Sequence, residues 1–282
     1  MIQCINLQKK FGSHEVLKDV SFDISDGAIF GLLGPSGAGK TTIIKILTGQ
    51  LNYDGGTVKI LGKDPLELTG EEKKKFGIMM DNFGVYERFS CGENLKVFAD
   101  LYDVPKSRIK EILKEVGLED AYKKSASNLS KGMRSRLQLA RAFMHSPEII
   151  FLDEPTSGLD PQTMRAIHKI ILEKKEKGCT IFLTTHNMEE AKKLCDTVIL
   201  LNEGRIVEAG NPEEICRKYD HHKRIQMHLS DGKDMEFERN ETSAKMIFEL
   251  LKSGIVETIH STEPTLETVF LELTGKKLQE EI

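Results

Sequence analysis

The segment Gly34-Pro35-Ser36-Gly37-Ala38-Gly39-Lys40-Thr41 constrains this chain more than any other. It stands between an apolar run, Ala28-Ile29-Phe30-Gly31-Leu32-Leu33, and a stretch in which Ile43, Ile44, Ile46 and Leu47 share one helical face. A strand must therefore run into a tight glycine-rich turn that opens a helix. Gly34, Gly37 and Gly39 can take positive φ and allow close backbone approach, so that several N–H groups converge on one phosphate. The helix N-terminus adds a favourable dipole. Lys40 would reach the β- and γ-phosphates as a point charge, and the Thr41 hydroxyl would ligate Mg²⁺. Pro35, Ser36, Ala38 and Thr42 complete the candidate nucleotide-binding loop. An ordinary glycine-rich turn would not need this strand–helix placement, so the segment predicts a nucleoside triphosphate site.

Composition narrows the setting. The 282 residues suffice for one large domain or two modest ones. A formal charge of −4 gives no basic footprint of the kind nucleic-acid binding requires, and no nucleic-acid partner is expected. The opening Met1-Ile2-Gln3-Cys4-Ile5 lacks a basic region leading into an apolar stretch, and nowhere do about 18 apolar residues run together. A soluble, cytoplasmic chain is the expectation. Cys4, Cys91, Cys179, Cys195 and Cys216 are scattered with no CxxC pair, which signals neither a disulfide framework nor a zinc site.

Along the chain, strand-like pieces at Ile2–Leu7 and Val16–Ile24 and a turn at Asp26-Gly27 predict an antiparallel start, and Gly55-Gly56 leads into a further strand, Thr57–Leu61. From Ser90 to Met144 the character turns helical. Ser90 and Glu93 have capping-box spacing, while Ile109, Ile112, Leu113 and Val116 make one stripe that Gly117 would stop. Two continuous apolar strands, Ile149–Leu152 and Thr180–Thr184, flank a helix that starts at Asp160-Pro161 and stops at Gly178, a pattern of parallel sheet covered on both faces. A hairpin at Glu203-Gly204 and a capped helix start at Asn211-Pro212 close this region, and the core domain should end near Asp220. Beyond it, a hairpin around Asp231-Gly232, a helix carrying Met246, Ile247, Leu250 and Leu251, a strand at Ile255–Ile259 and a last helix from near Pro264 to Gly275 form a small α/β appendage. That last helix should bury Leu266, Val269, Phe270 and Leu273.

Asp153-Glu154 directly follow an apolar strand, where a phosphate-transfer site needs acids. Asp153 would help hold Mg²⁺ and Glu154 would orient and polarise the attacking water. Alone, such a pair could be a helix cap; together with the glycine loop it reads as chemistry.

Leu129-Ser130-Lys131-Gly132-Met133 is similar to the signature segment LSGGQ of ATP-binding-cassette (ABC) proteins, with Lys131 and Met133 departing from it. Without the resemblance, Asn128-Leu129-Ser130 is a helix cap. The likeness extends to Ser157-Gly158-Leu159-Asp160, which resembles the family's D-loop, and to His186 after Thr184-Thr185, which resembles its switch histidine. It covers the chain to about residue 220. The resemblance implies a P-loop NTPase core with a parallel sheet, an N-terminal antiparallel β-subdomain and an inserted helical subdomain at about residues 86–146, together 1–220, followed by a small C-terminal α/β domain, 221–282.

It also implies that two ATPase subunits, identical or different, close head to tail, with Ser130 and Gly132 serving the partner's nucleotide. By the same likeness His186 senses the γ-phosphate, Asp160 belongs to the nucleotide site and Phe11 stacks on adenine. Asp81 stands where relatives generally carry Gln; as a shorter, charged group it would bind Mg²⁺ or act on the attacking water. For most relatives the load is an integral membrane permease, which places the chain on the cytoplasmic face of the membrane. The tail Ile259–Phe270 resembles that of bacterial exporter ATPases, so export of a drug, antimicrobial peptide or lipid-like cargo is expected. An importer ATPase shares every catalytic residue, and a soluble cassette ATPase is disfavoured by the single cassette and the acidic balance.

Overall fold

The computed structural model describes residues 2–80, 84–221 and 224–275. β1 (Ile2–Phe11) and β2 (His14–Ile24) form an antiparallel hairpin, and β4 (Gly55–Ile60) pairs with the other edge of β1, giving the order β2-β1-β4. Alternation of buried and exposed residues along β1 turns one face of this small sheet inward.

The larger sheet has six strands in the order β5-β6-β7-β3-β8-β9. β3 (Ile29–Leu33), β5 (Phe76–Met79), β6 (Ile149–Asp153), β7 (Thr180–Thr185) and β8 (Thr197–Asn202) are parallel, and β9 (Arg205–Gly210) closes the edge as an antiparallel hairpin with β8. Every residue of β3, β6 and β7 is buried, as expected of largely apolar strands packed on both faces, with Asp153 and the threonines of β7 buried among them.

One face packs with α1 (Lys40–Leu47) and the small sheet around Phe22, Phe30, Phe151 and Phe182, whose rings lie 5.2–6.2 Å apart in successive contacts. After the short α2 (Gly70–Lys73), the helical segment consists of α3 (Cys91–Leu101), α4 (Ser107–Glu115) and α5 (Lys131–Phe143). Its start is the expected capping box: Ser90 accepts from Glu93 N–H while Glu93 accepts from Ser90 N–H. These helices share a second core with α6 (Pro161–Glu176), α7 (Met188–Leu194), α8 (Pro212–Lys218) and the other sheet face.

After residue 221, β10 (Arg224–Leu229), β11 (Asp234–Glu238) and β12 (Val256–Ser261) form an antiparallel sheet ordered β11-β10-β12. α9 (Glu241–Ser253) crosses between β11 and β12, and none of its residues is fully buried, because three strands offer only a narrow surface. α10 (Leu266–Thr274) returns to the main body: Leu266, Val269 and Phe270 are buried in the same core as Ala191, Leu194, Ile215 and Cys216. The three-stranded sheet is thus an excursion between α8 and a last helix that packs on the first 220 residues.

Candidate functional site

β6, β7 and β3 are adjacent in the sheet, so their carboxyl ends bring three distant loops together. The glycine-rich loop follows β3, Glu154 follows β6 and His186 follows β7. Ligands in open α/β sheets meet the chain at this edge.

Gly39 opens α1 with φ +109° and supplies no side-chain cap, which leaves the first N–H groups of that helix directed into the loop. A Cβ on Gly39 would lie 2.6 Å from Leu17 Cδ2, and one on Gly34 would lie 2.3 Å from the Leu201 carbonyl oxygen, so both positions demand glycine. The loop borders a cavity of about 240 Å³, reached by Ser36, Gly37, Lys40, Thr41, Asp153 and Glu154. Lys40 is 8% exposed; its ammonium donates to the carbonyls of Gly34 (2.6 Å) and Pro35 (3.2 Å) and lies 3.4 Å from Glu154 Oε1. This is a buried cation held by two carbonyls of its own loop and one carboxylate.

Asp153 is buried and fully engaged. Thr41 Oγ1 donates to its Oδ2 at 2.9 Å, and Thr184 Oγ1 donates to its Oδ1 at 2.5 Å. Glu154 adopts φ +50°, a left-handed conformation uncommon for glutamate, and its N–H donates to the Thr184 carbonyl at 3.1 Å. His186 Nδ1 lies 2.8 Å from Glu154 Oε2. The geometry supplies one cation, an oxygen-only hydroxyl–carboxylate pair suited to a hard divalent cation, and a carboxylate–imidazole pair suited to holding a water.

The residues expected to serve a partner's nucleotide lie apart from this cluster. Ser130 caps α5, accepting from Met133 N–H at 3.2 Å. A Cβ on Gly132 would fall 2.7 Å from Thr163 Cγ2, so close packing of α5 on α6 also explains that glycine. Asp160 caps α6, accepting from the N–H groups of Gln162 and Thr163 at 3.0 Å each and from the Thr163 hydroxyl at 2.6 Å. The Thr163 hydroxyl and these amides hold the Asp160 carboxyl below its usual range. A cavity of about 560 Å³ separates α5 from the acids, with Lys131, Arg134 and Gln138 on one side and Asp153, Glu154 and Ser157 on the other.

Phe11 ends β1 half-exposed, with Lys9 Nζ 5.3 Å from its ring centre, and Val16 rather than Phe11 borders the loop cavity. Asp81 lies outside the described residues. Sequence reasoning missed Thr184, whose hydroxyl fixes Asp153, and a buried group behind the site, Thr156, His168 and Glu190. The Thr184 signal was its place one strand turn before His186. Asn187 and Glu190 carry capping-box spacing, which reads as a helix start and hides any other role.

Residues 17–157 match the ABC transporter family, and the chain belongs to it. It is 39% identical over 266 residues to a fluoroquinolones export ATP-binding protein of Mycobacterium tuberculosis, covering 93% of this chain and 88% of that one. It is also 38% identical over 224 residues to the methionine import ATP-binding protein of Clostridium acetobutylicum, covering 76% of this chain and 70% of that one. Among solved structures it resembles a dimeric ATP-binding cassette in a post-hydrolysis state with ADP and Pi, at TM-score 0.67 and 27% identity, covering 75% of this chain and 98% of that one. The chain is therefore an ATP-binding, ATP-hydrolysing cassette of the transporter family, with the P-loop α/β fold that its glycine loop predicts.

Proposed function

We propose that this chain binds MgATP at the Lys40 loop and hydrolyses it with Glu154 as the water-polarising base and His186 as its partner. The carrying observation is the convergence of Lys40 Nζ and His186 Nδ1 on the two oxygens of one carboxylate, at 3.4 and 2.8 Å. Lys40, now satisfied by loop carbonyls, would exchange those contacts for phosphate oxygens. The N–H groups of the loop and of α1 would hold the remaining phosphate charge. Thr41 and Asp153 would hold Mg²⁺, since their oxygens already meet at 2.9 Å. When bound, Mg²⁺ neutralises phosphate charge as it develops. Glu154 would take a proton from water while His186, within hydrogen-bonding reach, keeps the carboxylate oriented. Asp81 is proposed to act on Mg²⁺ or the water from the neighbouring loop. Ser130 and Gly132 are proposed to complete the site of a second ATPase subunit, whether identical or different, with Asp160 fixing the connecting loop and Phe11 meeting the base.

The load is proposed to be an integral membrane permease, and the place of action the cytoplasmic face of the membrane. No helix among the described residues is long and apolar enough to cross a membrane, so the spanning part would come from the partner. A cavity of about 450 Å³ between α1, the end of β5 and the helical segment offers a docking cleft, lined by Lys45, Met80, Phe98, Tyr102, Arg141 and His145. Export of a drug, antimicrobial peptide or lipid-like cargo is the favoured direction, because the match to the fluoroquinolone exporter subunit covers 93% of the chain and so extends into the C-terminal sheet. Import is the second reading, carried by the 38% identity to the methionine importer subunit over a shorter span. Purification with the native membrane partner, reconstitution into vesicles and measurement of MgATP-driven flux test all of this. Inward flux would overturn the direction, and failure of any membrane protein to co-purify, with no flux in vesicles, would overturn the transport role.

A further inference from the structure

Behind the carboxylate–imidazole pair lies a second buried tie between the same two loops. Glu190 stands in the first turn of α7, four residues after His186, and its side chain has 0% exposure. Asn187 caps this helix by accepting from Glu190 N–H at 3.0 Å. In a capping box the glutamate would reach back to the N–H of Asn187. Here that N–H donates to Thr185 Oγ1 at 3.0 Å instead, and the Glu190 carboxylate turns inward. Its Oε1 accepts from the Thr156 hydroxyl at 2.6 Å and lies 3.0 Å from His168 Nε2 on α6. The other oxygen, Oε2, is buried without a hydrogen-bond partner among the described residues. Desolvation offsets the hydrogen bonds of such a group, so it adds little to stability. Its geometric effect is large: Thr156 follows Glu154 by two residues, and Glu190 follows His186 by four.

We propose that Glu190, through Thr156 and His168, is a positioning residue for ATP hydrolysis that fixes the segment after Glu154 to the helix after His186. The inference rests on the roles assigned above to Glu154 and His186. A rigid tie at this distance sets whether the carboxylate and imidazole meet at 2.8 Å, and displacement of a reacting group by about 1 Å can cost on the order of 100-fold in rate.

The test uses the purified full chain and measures steady-state hydrolysis, ATP affinity and thermal denaturation for Thr156→Val, Thr156→Ser, Glu190→Ala and Glu190→Gln. Thr156→Val keeps the side-chain shape and removes the donor, so the test stands even if Glu190→Ala does not fold. Expected are a kcat about 10- to 100-fold lower for Thr156→Val and Glu190→Ala with ATP KM little changed. Thr156→Ser and Glu190→Gln, which keep the hydroxyl and Oε1, should restore most of the rate. The double variant Thr156→Val/Glu190→Ala should be no worse than the weaker single, as members of one unit behave. Folded single variants with kcat within about twofold of the parent, or fully additive losses, overturn the proposal. Glu154→Gln is the control: normal turnover there overturns the assignment of the base, whereas an inactive Glu154→Gln beside an active Thr156→Val overturns only the role of Glu190.

Discussion

Glu154 uses both carboxylate oxygens, Oε1 facing Lys40 Nζ at 3.4 Å and Oε2 facing His186 Nδ1 at 2.8 Å. A single side chain thus joins the cation of the glycine-rich loop to the histidine of the next strand end. Glu154 makes this bridge from a left-handed backbone, φ +50°, that is uncommon for glutamate.

Glu154→Gln should keep ATP affinity and lower turnover on the order of 100-fold or more, the scale of a lost general base. The neutral amide still fits beside His186 but cannot take a proton. Single-turnover hydrolysis, with gel filtration in MgATP to detect an accumulated closed dimer, checks this. Near-normal turnover would remove Glu154 as the base.

Lys40→Ala should weaken ATP binding about 10- to 100-fold, the value of one charge-assisted contact to phosphate. Calorimetric titration with a non-hydrolysable ATP analogue reads this directly. An unchanged Kd would exclude the phosphate role.

Thr41→Val deletes the hydroxyl that donates to Asp153 at 2.9 Å. The Mg²⁺ concentration for half-maximal hydrolysis should rise on the order of 10-fold, with nucleotide affinity in the absence of metal largely kept. Equal losses with and without Mg²⁺ would argue that the pair is only structural.

Away from the site, Glu115 lies between Arg108 (2.5 Å) and Lys174 (2.8 Å), tying α4 to α6. Burial raises its pKa, but the two cations more than offset this and hold it at about 2, against an ordinary 4.5. The folded-state value is depressed, so the contribution is present above the unfolded pKa and is lost as pH falls from about 4.5 towards 2. After solvent screening it should be worth about 1 kcal/mol. Glu115→Gln should lower Tm at pH 7 and make the acid limb of the stability curve shallower; an identical acid limb would assign the dependence to other groups.

Much of the site was legible because its chemistry is local in sequence. Gly34 through Thr41 carry their own geometry: two glycines admit no Cβ, and the helix they open needs no cap from elsewhere. Asp153-Glu154 and His186 end short β-branched and apolar runs of the kind that form buried parallel strands. The order of these strands was not legible. Only the pairing of β6 with β7 and of β7 with β3 brings Asp153 beside Thr184 and Thr41. Capping residues were ambiguous for the same reason: Asp160 satisfies amides of its own helix, while Glu190, at an equally ordinary capping position, leaves its helix for Thr156.

The amino-acid order by itself determined a glycine-rich turn that opens a helix, a buried parallel sheet, a helical insertion and the acids that follow the strands, because each depends on spacing and turn chemistry within a few residues. Only the tertiary structure decided that Glu154 bridges Lys40 and His186, that Glu190 is tied to Thr156 and His168, and that α10 folds back into the main core. Those contacts join residues far apart in the chain, and their distances are set by how the sheet and helices pack.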